Sequence, residues 1–307
     1  MSLEQCLEDL PDDDKQLTAT RLVHLSNLGA EEMLGFVEAW AETGTERRRQ
    51  AIAMLNELTE DNVDLDFNAV YRHTLGDSDD EVRAASISGL WECEERSLID
   101  PIIRLMNDDP EEKVRAKAVQ ALGRFALLGE TGKLLERDHG RIADALLAVI
   151  DNKGQALEVR RRAVEAVAPM SLPRVEGIIE QAYVDGDPKL KASAVYAMGL
   201  TCVPLWLPTL TSELDNEDPE MRYEAIGALA EIGEEDAVPN LLPLIQDSDP
   251  QVQAATIGAL GAIGGAAAKE VLTRALDQED SRIQDLAEAA LQSMDFAEDP
   301  LGLNDLE

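Results

Sequence analysis

Aromatic residues make up only 4% of this 307-residue chain. A core with so few rings must be filled mainly by Ala, Leu, Ile and Val. Apolar residues reach 45% in all, enough for a continuous core of thin, closely packed layers. Cysteine is almost absent. Cys6, Cys93 and Cys202 are far apart and odd in number, so neither a disulfide framework nor a CxxC-type zinc site is expected. No apolar run approaches 18 residues, so no membrane-spanning helix is expected. The N-terminus is acidic and has no basic start, so no signal peptide is expected either. A reducing, cytoplasmic setting follows. Positive charge is scarce too: 27 Lys and Arg face 62 Asp and Glu, for a net charge of −35. That balance opposes binding to nucleic-acid phosphates and to anionic membranes. It leaves partners with basic surfaces as the natural complement. Solubility, with or without adaptation to high salt, is the plainer explanation of the acidity.

What the chain does have is a period. An acidic turn leads into a helix start reading apolar, basic, then small residues. It occurs as Asp-Ser-Asp-Asp-Glu-Val-Arg at 77–83 and Asp-Pro-Glu-Glu-Lys-Val-Arg at 109–115, and returns at 185–191, 217–222 and 247–253. The anchoring apolar residues are Val82, Val114, Val159, Leu190, Met221, Val252 and Ile283, separated by 32, 45, 31, 31, 31 and 31 residues. A repeat of this length marks stacked helical units that bury their apolar faces against one another. The expected fold is all-α, an α/α superhelical solenoid of about eight helix pairs.

Counting from the anchor, the fourth position on is small (Ala118, Ala163, Ala194, Ala225), and the fifth and eighth are branched or long (Val119, Val195, Leu122, Leu229). At 100° per residue these share one arc with the anchor and form the buried stripe. The last unit breaks the pattern with Glu288, as a solvent-facing cap would. The residue after the anchor is basic in five of seven units: Arg83, Arg115, Arg160, Lys191 and Arg222. Beside the acidic turns, these predict a structural ladder of charge-assisted hydrogen bonds. The opposite face, at the second, third and sixth positions, is expected to line the inner surface. It carries Arg161, Arg162, Tyr196 and Tyr223 among small residues. Because Tyr is favoured at recognition hot spots, these four are the candidate partner-binding patch, with seam-covering tyrosines the plainer alternative.

The expected organisation is an acidic arm or cap at 1–15, degenerate helical repeats at 16–65, regular repeats at 66–294 and an acidic tail at 295–307. An insertion near 127–140 accounts for the 45-residue interval and is expected to form a loop on one edge. Gly123, Gly199, Gly233 and Gly264 are read as left-handed helix stops, and Gly29 as a stop between helices at 16–28 and 31–42. Paired prolines at 204/208 and 239/243 predict kinked first helices.

The phrase running from Asp109 to Gly123, and again from Asp218 to Leu229 and Asp249 to Gly261, resembles HEAT repeats, particularly the HEAT-like units of phycobilisome lyases. The resemblance covers 66–294 well and 16–65 weakly. It implies a helical solenoid and, for most relatives, a protein-interaction scaffold without catalysis, cofactor or metal. Three relatives of this kind handle ligands. Bilin lyases share the repeat, but nothing here marks a chromophore site. Deoxyhypusine-type hydroxylases carry paired His-Glu motifs for two irons, and none of His24, His73 and His139 is followed by Glu. DNA glycosylases of this type use a basic groove, which a charge of −35 opposes. The expected partner is a protein or peptide with a basic surface. A lyase-like or chaperone-like accessory to a cofactor-bearing client, and an acidic nucleic-acid mimic, remain the alternatives.

Overall fold

The computed structural model describes residues 2–278 and 280–298. Among them are 18 α-helices, several short 3-10 turns and no strand. The chain divides into two compact units, residues 1–166 and 167–307, so the repeats at 66–294 span both. Each unit is a stack of helix pairs held together by a buried apolar stripe on each helix.

In the first unit, α1 (Leu3–Asp9) and α2 (Ala19–Leu22) precede the pairs α3 (Ala30–Glu42) and α4 (Thr45–Asp61), and α5 (Asn68–Thr74) and α6 (Asp80–Gly89). They are followed by α7 (Ile99–Asp108), α8 (Glu112–Glu130), α9 (Glu136–Asp151) and α10 (Leu157–Val167). The second helices α4, α6 and α8 pack side by side. The anchors Val82, Val114 and Val159 are fully buried, as are Ala118, Ala163, Val119 and Leu122. The larger rings collect at the N-terminal end, where Phe36 stacks on Trp40 at 5.3 Å and meets His73 edge-on.

Arg47 stands where other repeats place the apolar anchor, and it is buried. Its guanidinium donates to the carbonyls of Leu10 and Asp9, at 2.5 and 2.9 Å. Those carbonyls close α1, where a helix leaves its last acceptors unsatisfied and carries partial negative charge. The arginine thus binds the N-terminal helix to the first repeat.

In the second unit, α11 (Val175–Val184) pairs with α12 (Pro188–Leu200), α13 (Leu207–Glu213) with α14 (Pro219–Ile232), α15 (Val238–Leu241) with α16 (Pro250–Ile263), and α17 (Gly265–Ala275) with α18 (Ser281–Glu298). The second helices α12, α14, α16 and α18 stack in order. The paired prolines break the first helices as expected. Pro204 opens a 3-10 turn before α13, and Pro243 sits in the 3-10 turn that continues α15.

Several expectations need correction. Gly123 and Gly199 are not helix stops: they lie inside α8 and α12. A Cβ on Gly123 would lie 3.1 Å from the Cβ of Ala166, and one on Gly199 would lie 2.6 Å from the Cα of Ala228. They are glycines because neighbouring second helices touch there. Gly233 does take the left-handed conformation, at φ 74°. Gly29 precedes α3 as its N-cap, with Glu32 accepting from its N–H. Residues 16–28 hold only the short α2 and a 3-10 turn.

The insertion does not form a long loop. It lengthens α8 to Glu130 and starts α9 at Glu136, leaving a short turn between them. α18 runs on to Glu298, so the start of the expected tail is helical; residues 299–307 lie outside the described residues.

Candidate functional site

The turns at 77–79 and 247–249 are built from two aspartates with different tasks, and the other turns keep one or both tasks. The second caps the next helix: Asp79 accepts from the N–H groups of Glu81 and Val82, and Asp187, Asp218 and Asp249 do the same for their helices. This is the ordinary use of Asp at a helix start. The first, two residues earlier, orients the turn. Asp77, Asp109 and Asp247 each accept the N–H two residues on, at 2.8, 3.0 and 2.8 Å.

These first aspartates also receive the basic column. Arg83 donates from Nε and Nη2 to both oxygens of Asp109, at 2.7 and 2.9 Å. Arg222 grips Asp247 in the same fork, at 2.8 and 2.7 Å. The remaining Nη1 of each arginine turns back to carbonyls of its own turn, Asp77 and Ser78 for Arg83, and Asn216 and Glu217 for Arg222. One guanidinium therefore closes its own turn and ties it to the next. Side-chain exposure is only 10% for Arg83 and 3% for Asp109, so the pair is largely desolvated and its geometry has to be complete. Burial pushes the Asp247 carboxyl up, but Arg222, the N–H of Asp249 and Ser248 together hold it below the usual carboxylate range.

The other expected members differ in detail. Lys191 reaches Glu213 at 2.8 Å and lies 4.8 Å from the centre of the Tyr183 ring. Tyr183 also donates to Glu213, and burial followed by that carboxylate pushes the phenol up to about 12. Arg115 holds the carbonyls of Asp109 and Pro110, but its forward contact is the neutral Gln155. Arg160 has its buried Nε without a hydrogen-bond partner. One member escaped the sequence reading. Arg48, next to the displaced anchor Arg47, donates to Asp77 at 2.8 Å, where Trp40 donates as well.

The four residues of the expected patch do not act alike. Arg161 and Arg162, at the end of the first unit, are engaged on their own helix by Glu158 and Glu165, with nitrogen–oxygen distances from 2.8 Å. Tyr196 and Tyr223, in the second unit, are 44% and 47% exposed. They lie on α12 and α14 outside the buried stripe of Leu190, Ala194, Met221 and Ala225. Ser193, expected on the same face as these tyrosines, is buried.

Two residues beside the tyrosines were passed over. Gly227 and Gly258 sit at equivalent positions in the middle of α14 and α16, exposed, in ordinary helical conformation. A Cβ on either would meet nothing within 4 Å. Glycine inside a helix costs about 1 kcal/mol relative to alanine, and no packing within the unit requires it here. Glu224 and Glu231 lie one turn to either side of Gly227, and Asp285 lies one turn before Ala289 in the next helix but one.

A further exposed ring was also missed. Trp91 is 59% exposed and carries the guanidinium of Arg124 at 5.6 Å from its centre. It occupies the column that elsewhere reads Gly123, Ala168, Gly199, Ala230, Gly261 and Gln292, so the departure was visible in the sequence. In the insertion, buried Asp138 accepts from Nε of Arg96 at 2.6 Å, and that hydrogen bond holds its carboxyl below the usual range. No group of three or more His, Cys, Asp or Glu among the described residues is placed to hold a metal ion. No helix of the described residues is long and apolar enough to cross a membrane.

The sequence profile of HEAT repeats matches residues 70–140 and 207–292, together just over half of the chain. The chain belongs to the HEAT-repeat family. Among solved structures, the HEAT solenoid of this chain is similar to the complex of CpcE and CpcF of phycocyanin lyase from Nostoc sp. PCC7120. That match has 16% identity, a TM-score of 0.56, and covers 92% of this chain and 96% of the other. It is also similar to yeast importin-beta (Kap95p), at 13% identity and a TM-score of 0.55, covering 95% of this chain and 46% of that one. At these identities the likeness is one of fold. No match is found among curated protein sequences. Within the HEAT frame, the aspartate–arginine joints belong to the scaffold, and the exposed second-helix face around Tyr196 and Tyr223 is the candidate site.

Proposed function

We propose that this HEAT-repeat protein is a non-catalytic scaffold that binds a protein with a basic surface on the exposed face of its second helices, centred on Tyr196 and Tyr223. The observation that carries this reading is the pairing of two half-exposed tyrosines with a surface poor in positive charge. Residues 167–307 hold 7 Lys and Arg against 27 Asp and Glu. Lys191, Arg222, Lys269, Arg274 and Arg282 each have an acidic neighbour within 4 Å. Tyrosine supplies contact area at small entropic cost, and surplus carboxylates steer a cationic partner.

The test is capture from native lysate on the immobilised full chain and on a Tyr196→Ala/Tyr223→Ala variant, at about 0.1 M and about 0.5 M salt, either side of the range where screening becomes severe. One dominant partner that survives high salt on the unmodified chain and is lost on the variant supports the reading. Retention by the variant removes the face from the account. Only basic proteins, all lost at high salt, would transfer the weight to charge alone and to nucleic-acid mimicry. A second reading, an accessory factor for a cofactor-bearing client, draws support from the full-length fold likeness to the phycocyanin lyase complex. A pigmented or metal-bearing client among the captured proteins would favour it.

A further inference from the structure

We infer that the occupant of this face is a basic amphipathic α-helix, laid across α14, α16 and α18 with its backbone close over Gly227 and Gly258. The inference rests on the proposed use of the face and adds the conformation of the partner. Tyr196, Gly227, Gly258 and Ala289 hold the same position in four successive second helices, so they form a row that crosses the helices. With neighbouring helices roughly 8–10 Å apart, the row is about 27 Å long, the length of a helix of about 18 residues.

The floor decides between a helical and an extended partner. Gly227, Ala254, Ala255, Gly258 and Ala289 provide no side-chain donor or acceptor, and the backbone beneath them is already paired within its helices. An extended chain pressed on that floor would bury its own N–H and C=O groups unpaired. A helix arrives with its backbone satisfied. Glycine at two consecutive row positions removes the Cβ atoms that would hold it off, which accounts for glycines that no contact inside the unit explains. The tyrosines stand at one end of the row. The carboxylates of Glu224, Glu231 and Asp285 flank the floor, and neither α14 beyond Arg222 nor α16 carries a cation. Lysine or arginine flanking an apolar stripe is the complement of that arrangement.

The test uses the full chain and a fluorescein-labelled amphipathic peptide of about 18 residues made from Lys, Leu and Ala. Its control is a diastereomer with three central residues of D configuration, identical in composition and charge but unable to form the helix. Binding is followed by anisotropy to the unmodified chain, to Gly227→Gln/Gly258→Gln and to Tyr196→Ala/Tyr223→Ala. Circular dichroism and thermal melting confirm that each variant is folded. The expected result is at least tenfold tighter binding of the helical peptide than of its diastereomer. The glutamine variant should lose about tenfold in affinity while melting no lower than the unmodified chain. Equal binding of the two peptides, or undiminished binding by the glutamine variant, overturns the helix. If the tyrosine variant alone weakens binding, the face is used but not by a helix, and only this inference falls. If neither variant changes binding, the reading of the face falls with it.

Discussion

At the scale of single residues, the joints between repeats depend on a carboxylate that does two things at once. Asp109 orders its own turn through the N–H of Glu111 and receives both donors of Arg83 from the turn before. Removing the arginine leaves a desolvated carboxylate with half its partners. Arg83→Ala is therefore expected to cost about 3 kcal/mol, measured by urea denaturation. Asp109→Ala should cost a similar amount, and the double variant less than the two together. Additive losses would mean that the pair is not coupled. Acid should weaken those joints whose carboxyls are held low. The carboxyls of Asp247 and Glu213 are pushed up by burial, yet their hydrogen-bond donors, led by Arg222 and Lys191, together bring them below the ordinary range. Asp79 is held low mainly by Arg49. A carboxyl depressed in the folded state contributes stability above its unfolded pKa of about 4 and loses it as pH falls through the folded value. The melting temperature should therefore drop as pH falls below about 4, and less steeply in Asp247→Asn. The basic half of these joints was legible in the sequence, because Arg83, Lys191 and Arg222 each follow the apolar anchor of their repeat. The acidic half was not. Each turn offers two or three carboxylates, and only geometry separates the cap from the joint. Arg48 was hidden for a related reason: its neighbour Arg47 breaks the apolar register in order to meet the end of α1.

At the scale of helices, two kinds of glycine look alike in a column and behave oppositely. Gly199 is pressed against the backbone of Ala228, where an added methyl group would lie within 2.6 Å. Gly199→Ala is expected to destabilise by about 1–3 kcal/mol, the usual cost of overpacking. Gly227→Ala, 28 positions on, should stabilise by about 0.5–1 kcal/mol, since its side chain points into open space. Chemical denaturation of the two variants side by side checks both signs. If Gly199→Ala proves neutral, the contact between α12 and α14 is looser than the structure has it. This distinction explains why the helices themselves were readable while the face was not. Periodicity, prolines and turn acids mark where helices run, and they gave α3, α12, α14 and α16 closely. They do not say which small residue touches a neighbour and which faces solvent. The insertion fails the same way: extra residues were expected as a loop, but Leu128 and Asp138 are buried within it and the segment prolongs α8 and opens α9.

At the scale of the whole chain, a charge of −35 works against compactness, because like charges on a folded surface repel. The internal joints are short and partly buried, so salt screens them little, whereas the surplus surface carboxylates are fully open to screening. Added sodium chloride should therefore raise the melting temperature between about 0.01 M and about 0.5 M. A fall over that range would assign the greater share of stability to exposed ion pairs. The same joints set how the chain can change length. Deleting residues 219–249, one period of 31, leaves Asp218 followed by Pro250, the same Asp-Pro start that opened the lost helix. The cut removes Arg222 and Asp247 together, donor with acceptor. Recombination in register at the turns thus hands on a chain with matched ends, and the protein's history of gain and loss is expected to proceed by whole repeats.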